Sequence, residues 1–366
     1  MEIKIQVNSY TIPNGITFAH STRMADSWTS HSECIIMPEK EVGSNELSVN
    51  VFEGNTDQLR LERPTKNPIR LLHRYRNLDM NGKFIFDARY EIDTNVGHYI
   101  VDTIPKILTV KECLSKKIGR EVDIYAILRE QPRKMALDVF EALGIPVIAT
   151  EANIRGSIVS MTGIKTKESE DKRIDDGGAL MVGNLKDIYS NFRKKLIANR
   201  ATESEKIFIS RKFTRTIENE SEINGILSDH GFKRYYFETG ELSIQEQWQI
   251  VSQAKEIVAI HGAGMSPLIF NMNGIMRESG DLSGLRVIEL YGAGYFVDWN
   301  RRLAAVMNAH WCGVRGKITP QIVRDLDDGK GGRIHESSSF RIDPNTLKLA
   351  LKHSASASYY DRRNGV

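Results

Sequence analysis

The chain has 366 residues, enough for two domains at the usual size of roughly 100–200 residues each. With 40% hydrophobic and 27% charged residues it is not a largely disordered chain. Its 50 basic and 47 acidic residues leave a net charge of +3, no surplus of the kind a nucleic-acid partner requires, though a local patch for an anionic substrate is compatible with it.

The three cysteines, Cys34, Cys113 and Cys312, lie far apart and form no CxxC pair. That spacing points away from a zinc site or a disulfide framework and towards a reducing compartment. Met1 to Val7 alternates apolar and polar residues and predicts an edge strand, not a signal peptide. No apolar run reaches the roughly 18 residues that a membrane helix needs. The protein is expected to be cytoplasmic, with peripheral contact to the inner membrane face left open.

Residues 1–65 read as a β-rich extension of short strands and loops. Residues 66–195 read as a first Rossmann-like domain. Phe84 to Phe86 predicts a strand, and a helix is expected from near Asn95 towards Leu114, with Pro105 kinking or interrupting it. A strand over Val122 to Leu128, a helix over Lys134 to Leu143 with Gly144 as its left-handed cap, and a strand over Pro146 to Ala149 follow. Residues 165–178 read as an exposed loop and 184–199 as a helix.

Residues 196–325 read as a second Rossmann-like domain. Strands are predicted at Lys206 to Ser210, Arg234 to Phe237, Ile257 to Ile260 and Arg286 to Leu290. Asn219 is placed to cap the first intervening helix, and Ser243 with Glu246 forms a capping box at the second. A short helix over Met265 to Asn271 is the third. Strand, helix and strand in alternation predict a parallel, doubly wound α/β sheet. Residues 326–366 hold a loop, a closing helix near Leu347 to Leu351 that could lie across the domains, and a tail.

Four features bear chemistry. The turn His261-Gly262-Ala263-Gly264 follows a buried strand and opens a helix. Glycines let the backbone approach a ligand, and a helix start offers unpaired N–H donors, so the turn suits a diphosphate. It is equally a tight βα connection that binds nothing. Arg211 and Lys212, after Ser210, sit at a strand end, where open α/β sheets bind ligands; they could clamp phosphates, with Arg215 adding to them, or be a solvated basic loop. His98 and Asp102 are four residues apart and share one helix face, as a base and its partner or as an ordinary helix start. Glu238 and Glu289 follow or end strands, where a carboxylate could hold ribose hydroxyls or simply face water.

The order of these features resembles glycosyltransferase family 61. The segment Asn95-Val96-Gly97-His98 through Asp102, Pro105 and Lys106 is similar to its N-x-x-H-x-x-x-D-x-x-P-(R/K) element, and Ile209-Ser210-Arg211 to its ISR element. Phe237-Glu238 with Leu242-Ser243 and Glu246-Gln247, then His261 to Gly264, then Val287 to Leu290 match its later elements. The resemblance covers roughly residues 80–300. One departure is Met265-Ser266-Pro267, where the family continues Leu-Thr-Asn; the hydroxyl is kept at Ser266 and the Asn is lost.

The resemblance implies a GT-B-like α/β fold, two Rossmann-like domains facing a cleft. It implies an inverting transfer from a nucleotide sugar, UDP-linked, to a hydroxyl of a glycan or lipid-linked glycan acceptor in surface polysaccharide synthesis, with no resident cofactor and no catalytic metal. His98 or Asp102 would be the base, with Asn95 and Gly97 beside the acceptor. Arg211, Lys212, His261, Gly262, Ala263, Gly264 and Ser266 would hold the nucleotide phosphates, and Phe237, Glu238 and Glu289 the ribose, base or donor sugar. The one D-x-D match, Asp325-Leu326-Asp327 followed by Asp328, lies outside the family's elements and reads as a solvated acidic run. A nucleotide-dependent oxidoreductase or epimerase, and a non-catalytic sugar-nucleotide-binding protein, are the competing readings; the first lacks a G-x-G-x-x-G near an N-terminal strand.

Overall fold

The computed structural model describes residues 1–6, 10–24, 28–42, 46–56, 77–89, 96–163, 188–190, 192–193, 204–276, 284–295, 299–327 and 335–356. Asn95, Asp328, the loop expected over 165–178, most of the helix expected over 184–199, and residues 357–366 fall outside them. The chain forms two compact α/β units, Met1–Tyr10 with Val42–Ile188, and Thr11–Glu41 with Tyr189–Val366.

The first 55 residues supply β1 (Glu2–Gln6), β2 (Tyr10–Ile12), β3 (Gly15–Met24), β4 (Trp28–Met37), β5 (Lys40–Val42) and β6 (Glu46–Asn55). They do not form one layer. β1 and β6 join the first unit's sheet, β3 and β4 join the second's, and β2 pairs with β5.

The first unit continues with β7 (Asn77–Asp87), α1 (Ile104–Ile118), β8 (Ile124–Leu128), α2 (Lys134–Ala142), β9 (Val147–Ala149) and β10 (Asn153–Gly163). Its sheet runs β1-β6-β10-β7-β8-β9, with β1 at the edge as the alternation of its residues predicts. β7, β8 and β9 pair in parallel, whereas β6 pairs antiparallel with both β1 and β10, so the sheet is mixed, not wholly parallel as expected. Nothing in the motif pattern announced β10. Ile104, Ile107, Val110 and Leu114 of α1 and Val139 and Phe140 of α2 are buried. Gly144 takes φ 67 and its N–H reaches the Glu141 carbonyl, the left-handed cap expected there.

The helix expected near Asn95 is three pieces: an α-helical turn Val96–His98, a π-helical turn Tyr99–Thr103, and α1. Pro105 lies in the first turn of α1, directly after the π-helical turn, and has no N–H to continue that turn's ladder. The wider turn ahead of it is closed by an Ile104 N–H bond to the Tyr99 carbonyl.

The second unit holds β11 (Lys206–Ser210), α3 (Glu220–Asp229), β12 (Lys233–Tyr236), α4 (Ile244–Gln253), β13 (Glu256–Ile260), a 3-10 helix Ala263–Phe270, α5 (Asn273–Met276), β14 (Arg286–Tyr291), α6 (Trp299–Val306), β15 (His310–Arg315), α7 (Pro320–Asp327) and α8 (Pro344–Ser356). Its sheet runs β12-β11-β13-β14-β15-β3-β4; every neighbouring pair is parallel except the hairpin β3–β4. The first five strands therefore stand in the order 2-1-3-4-5 of a doubly wound sheet. The order reverses between β11 and β13, and a crevice opens at the carboxyl ends of strands on either side of such a reversal.

Both faces are covered. On one face Phe208, Val258, Ile260, Ile288, Leu290, Cys312 and Val314 pack with Ile223 and Leu227 of α3 and Leu347, Ala350 and Leu351 of α8. Burial pushes the Cys312 thiol up to about 12. The closing helix thus belongs to the second unit's own core. The capping box forms in full, Ser243 Oγ accepting from Glu246 N–H and Glu246 accepting from Ser243 N–H. Asn219 stands at the start of α3 without capping it; its amide bonds Glu222 and both backbone groups of Ile342 instead. Among the described residues no helix is long and apolar enough to cross a membrane.

Removing Leu347, fully buried on α8, costs about 2–5 kcal/mol by lost transfer energy and cavity formation. Leu349, 43% exposed on the same helix, tests the face: Leu349→Ala is expected to change stability by about 0.5 kcal/mol or less. Urea unfolding of both variants checks the pair; equal losses would mean that α8 packs through another face.

Candidate functional site: an anion cradle and a His–Asp pair

β11 and β13 deliver their ends side by side. β11 leads into Arg211, and β13 leads into His261-Gly262-Ala263-Gly264. Gly262 has φ 143 and ψ −171, a backbone region open only to glycine. Space requires glycine as well. A Cβ here would collide with Arg211 Nη1 and lie 2.9 Å from Arg215 Nη1. Two guanidinium groups thus rest against one stretch of bare backbone. The N–H groups that open the 3-10 helix at Ala263 have no carbonyl behind them within the helix.

Each arginine is fixed by neutral acceptors and one carboxylate. Arg211 donates to the Thr214 carbonyl at 2.9 Å and to Thr214 Oγ1 at 2.8 Å, and it pairs with Glu238 at 3.1 Å. Glu238 also accepts the backbone N–H of Lys212 at 2.5 Å and of Phe213 at 2.9 Å. Arg215 donates to the Glu336 carbonyl at 2.6 Å, to Glu336 Oε1 at 3.2 Å and to the His261 carbonyl at 3.1 Å, and it lies over the Tyr295 ring. It holds φ 57, an uncommon conformation for a residue with a side chain. Burial lowers the Arg211 pKa from its ordinary value; Glu238 opposes that shift and the positive charge of Arg215 adds to it.

His261 has its own support. Its Nδ1 lies 2.5 Å from Glu289 Oε1. Glu289 is fully buried, and its oxygens also accept from Asn300 Nδ2 at 2.7 Å and Trp311 Nε1 at 2.9 Å. It sits inside β14, opposite Ala259 of β13 and Gly313 of β15, not at the strand's end. The ribose contact expected of Glu289 is therefore replaced by a contact to His261. Ser266 is likewise buried, and its hydroxyl donates to the Ala263 carbonyl, so it closes the turn from inside instead of facing a phosphate. Phe237 is buried, with its ring beside Gly264, and Gln247 donates to its carbonyl. Lys212 lies over the Tyr236 ring and 3.9 Å from Glu241. The partner of Arg211 at Gly262 is thus Arg215, four residues on, which a pair of adjacent cations had obscured.

The first unit carries the second group. His98 Nδ1 and Asp102 Oδ2 are 2.8 Å apart, as the four-residue spacing predicts. His98 is the more open, 29% exposed against 13% for the Asp102 side chain, whose Oδ1 is buried without a partner. Gly97 is buried in the turn before them. Asp325 of the D-x-D match is not solvated: it is buried on α7, accepting from Gln321 at 2.9 Å and 3.5 Å from His335 Nε2. Among the described residues no three His, Cys, Asp or Glu gather as a metal site would require.

Sequence reasoning missed Asn300, Trp311, Tyr295 and Glu336, which stand far along the chain from the groups they hold. The one available signal was Glu289 itself, a carboxylate set within the apolar run Val287, Ile288 and Leu290.

A family model described as Glycosyltransferase 61 matches residues 96–280, half of the chain. The chain belongs to glycosyltransferase family 61, and its class of reaction joins a donor sugar to an acceptor. The match takes in His98, Asp102, Arg211, Arg215, Glu238 and the His261–Gly264 turn, and it ends before Glu289. No curated protein matches the chain.

Gly262→Ala is expected to push both guanidiniums off the turn. Inorganic diphosphate should raise the melting temperature of the wild-type protein, by an amount set by its concentration over Kd. The variant, still folded, should lose that rise. A variant stabilised as well as the wild type would mean that the cradle does not need the bare backbone.

Proposed function

We propose that the protein is an inverting, metal-independent glycosyltransferase that takes a sugar from a nucleotide diphosphate, UDP-linked, to a hydroxyl of a glycan acceptor. The observation that carries this reading is the convergence of Arg211 and Arg215 on the side-chain-free Gly262, at the point where the strand order of the second sheet reverses. Two cations and a helix start in one place suit a ligand with two adjacent negative charges. The reading gives the donor to the second unit and the acceptor to the first, the division of labour of a GT-B enzyme. Surface polysaccharide assembly is the setting that the family resemblance suggests.

The chemistry follows from charge. The acceptor oxygen attacks the anomeric carbon from the side opposite the diphosphate, and the carbon–oxygen bond to the diphosphate breaks. Negative charge grows on the leaving group as the bond lengthens. Arg211, Arg215 and the N–H groups of the turn meet that charge without rearranging. The acceptor proton goes to His98. Asp102 takes the Nδ1–H of His98 and orients the ring, which leaves Nε2 as the nitrogen that accepts the proton.

The test separates the two groups. His98→Gln and Asp102→Asn are expected to lower kcat by about 10²–10⁴-fold, the usual weight of general-base catalysis, with little change in donor affinity. Arg215→Ala should instead weaken UDP binding by about 10–150-fold, the worth of a charged hydrogen bond of roughly 1.5–3 kcal/mol. Donor hydrolysis and transfer kinetics in EDTA read both. Full turnover in both first-unit variants would remove the base from this account.

A further inference from the structure

Glu289 is a buried carboxylate in the middle of a parallel sheet. Isolated carboxylates are costly there, and one persists only when its oxygens are hydrogen-bonded. Three segments supply the donors: His261 after β13, Asn300 of α6 and Trp311 of β15. Asn300 and Trp311 are neutral. Of the three, only His261 can carry a compensating charge, and only His261 reaches the cradle, since its carbonyl takes Arg215 and its neighbour Gly262 takes both arginines. The ring is further fixed by Tyr295, edge to face at 5.7 Å.

Geometry settles which nitrogen does what. Nδ1 is 2.5 Å from Glu289 Oε1 and 3.2 Å from the Asn300 amide nitrogen. Asn300 has the shorter bond, 2.7 Å, to the same Glu289 oxygen and gives its proton there, and a carboxylate can only accept, so Nδ1 carries a proton. The other nitrogen, Nε2, projects from the opposite side of the ring. We infer that Glu289 is a positioning residue: it holds His261 by Nδ1–H, so that Nε2–H donates to an oxygen of the nucleotide diphosphate, and it balances the charge of the doubly protonated ring when that ligand is bound. No proton passes to the product; the imidazolium is a third fixed cation beside Arg211 and Arg215. This inference rests on the nucleotide-diphosphate reading of the cradle.

The experiment is nitrogen NMR of the imidazoles in the intact, 15N-histidine-labelled chain, with His261 assigned by its absence in His261→Gln. Without ligand, His261 should carry its proton on Nδ1. With saturating UDP, both nitrogens should be protonated. Glu289→Gln should lose the Nδ1–H signature, weaken UDP binding, and lower kcat by about 10–100-fold, as for other groups that orient a functional histidine. Glu289→Asp, which keeps the carboxylate but withdraws it from Nδ1, serves by the same signature if Glu289→Gln does not fold. An Nε2–H tautomer in the free protein overturns the inference. So does wild-type kcat in Glu289→Gln with UDP still bound. If UDP binds nowhere on the wild-type protein, the nucleotide reading itself fails, and this inference with it.

Discussion

Arg211 and Arg215 press two positive charges against the backbone of one glycine. By itself that arrangement is unfavourable, since like charges repel and both groups give up water. It persists because every other part of the site is built to hold it. Thr214, Glu336 and the His261 carbonyl take guanidinium protons, and Glu238 pins the loop that carries Arg211 by two backbone N–H groups. On the proposed reading, the repulsion that remains is what a diphosphate would relieve. On this account, affinity is stored in the protein before the ligand arrives, and the left-handed backbone of Arg215 is part of how it is stored.

The second unit's N-terminal hairpin belongs to the same construction. β3 lies parallel to β15, and Thr17 accepts from Tyr291 OH at 3.1 Å. Arg301, buried on α6, donates to the carbonyls of Pro13, Met37 and Pro38, tying both ends of the hairpin to the helix that also presents Asn300 to Glu289. Gly15 leaves room for Arg301 and Trp311, and Trp311 is itself a donor to Glu289. Residues from the start of the chain therefore brace a site whose chemistry lies some 250 residues later, in the turn after β13.

Much of this was legible in sequence because buried parallel strands are written as short apolar runs. Ile257 to Ile260 could hardly be anything else, and a strand that ends in His-Gly-Ala-Gly locates its own turn. The box at Ser243 and Glu246 marked its helix by local chemistry alone. Long-range partnership left no such mark. The strand over Gly15–Met24 reads as β from its residues, yet nothing local says that it joins β15. Asn219 looks like a cap and is spent on Ile342. Glu289 looked like a ribose ligand because its strand was known and its neighbours were not. Arg215 was visible as a cation, but its closeness to Gly262 depends on a left-handed turn that arginine gives no reason to expect.

Calorimetric titration with UDP in EDTA tests the central claim most directly, run on the wild-type protein, Arg211→Ala and Arg215→Ala, with NAD as the contrast. The account expects UDP to bind the wild type, each arginine variant to bind it more weakly, and NAD to give no heat. Binding of NAD alone, or UDP affinity untouched by the loss of either arginine, would contradict it.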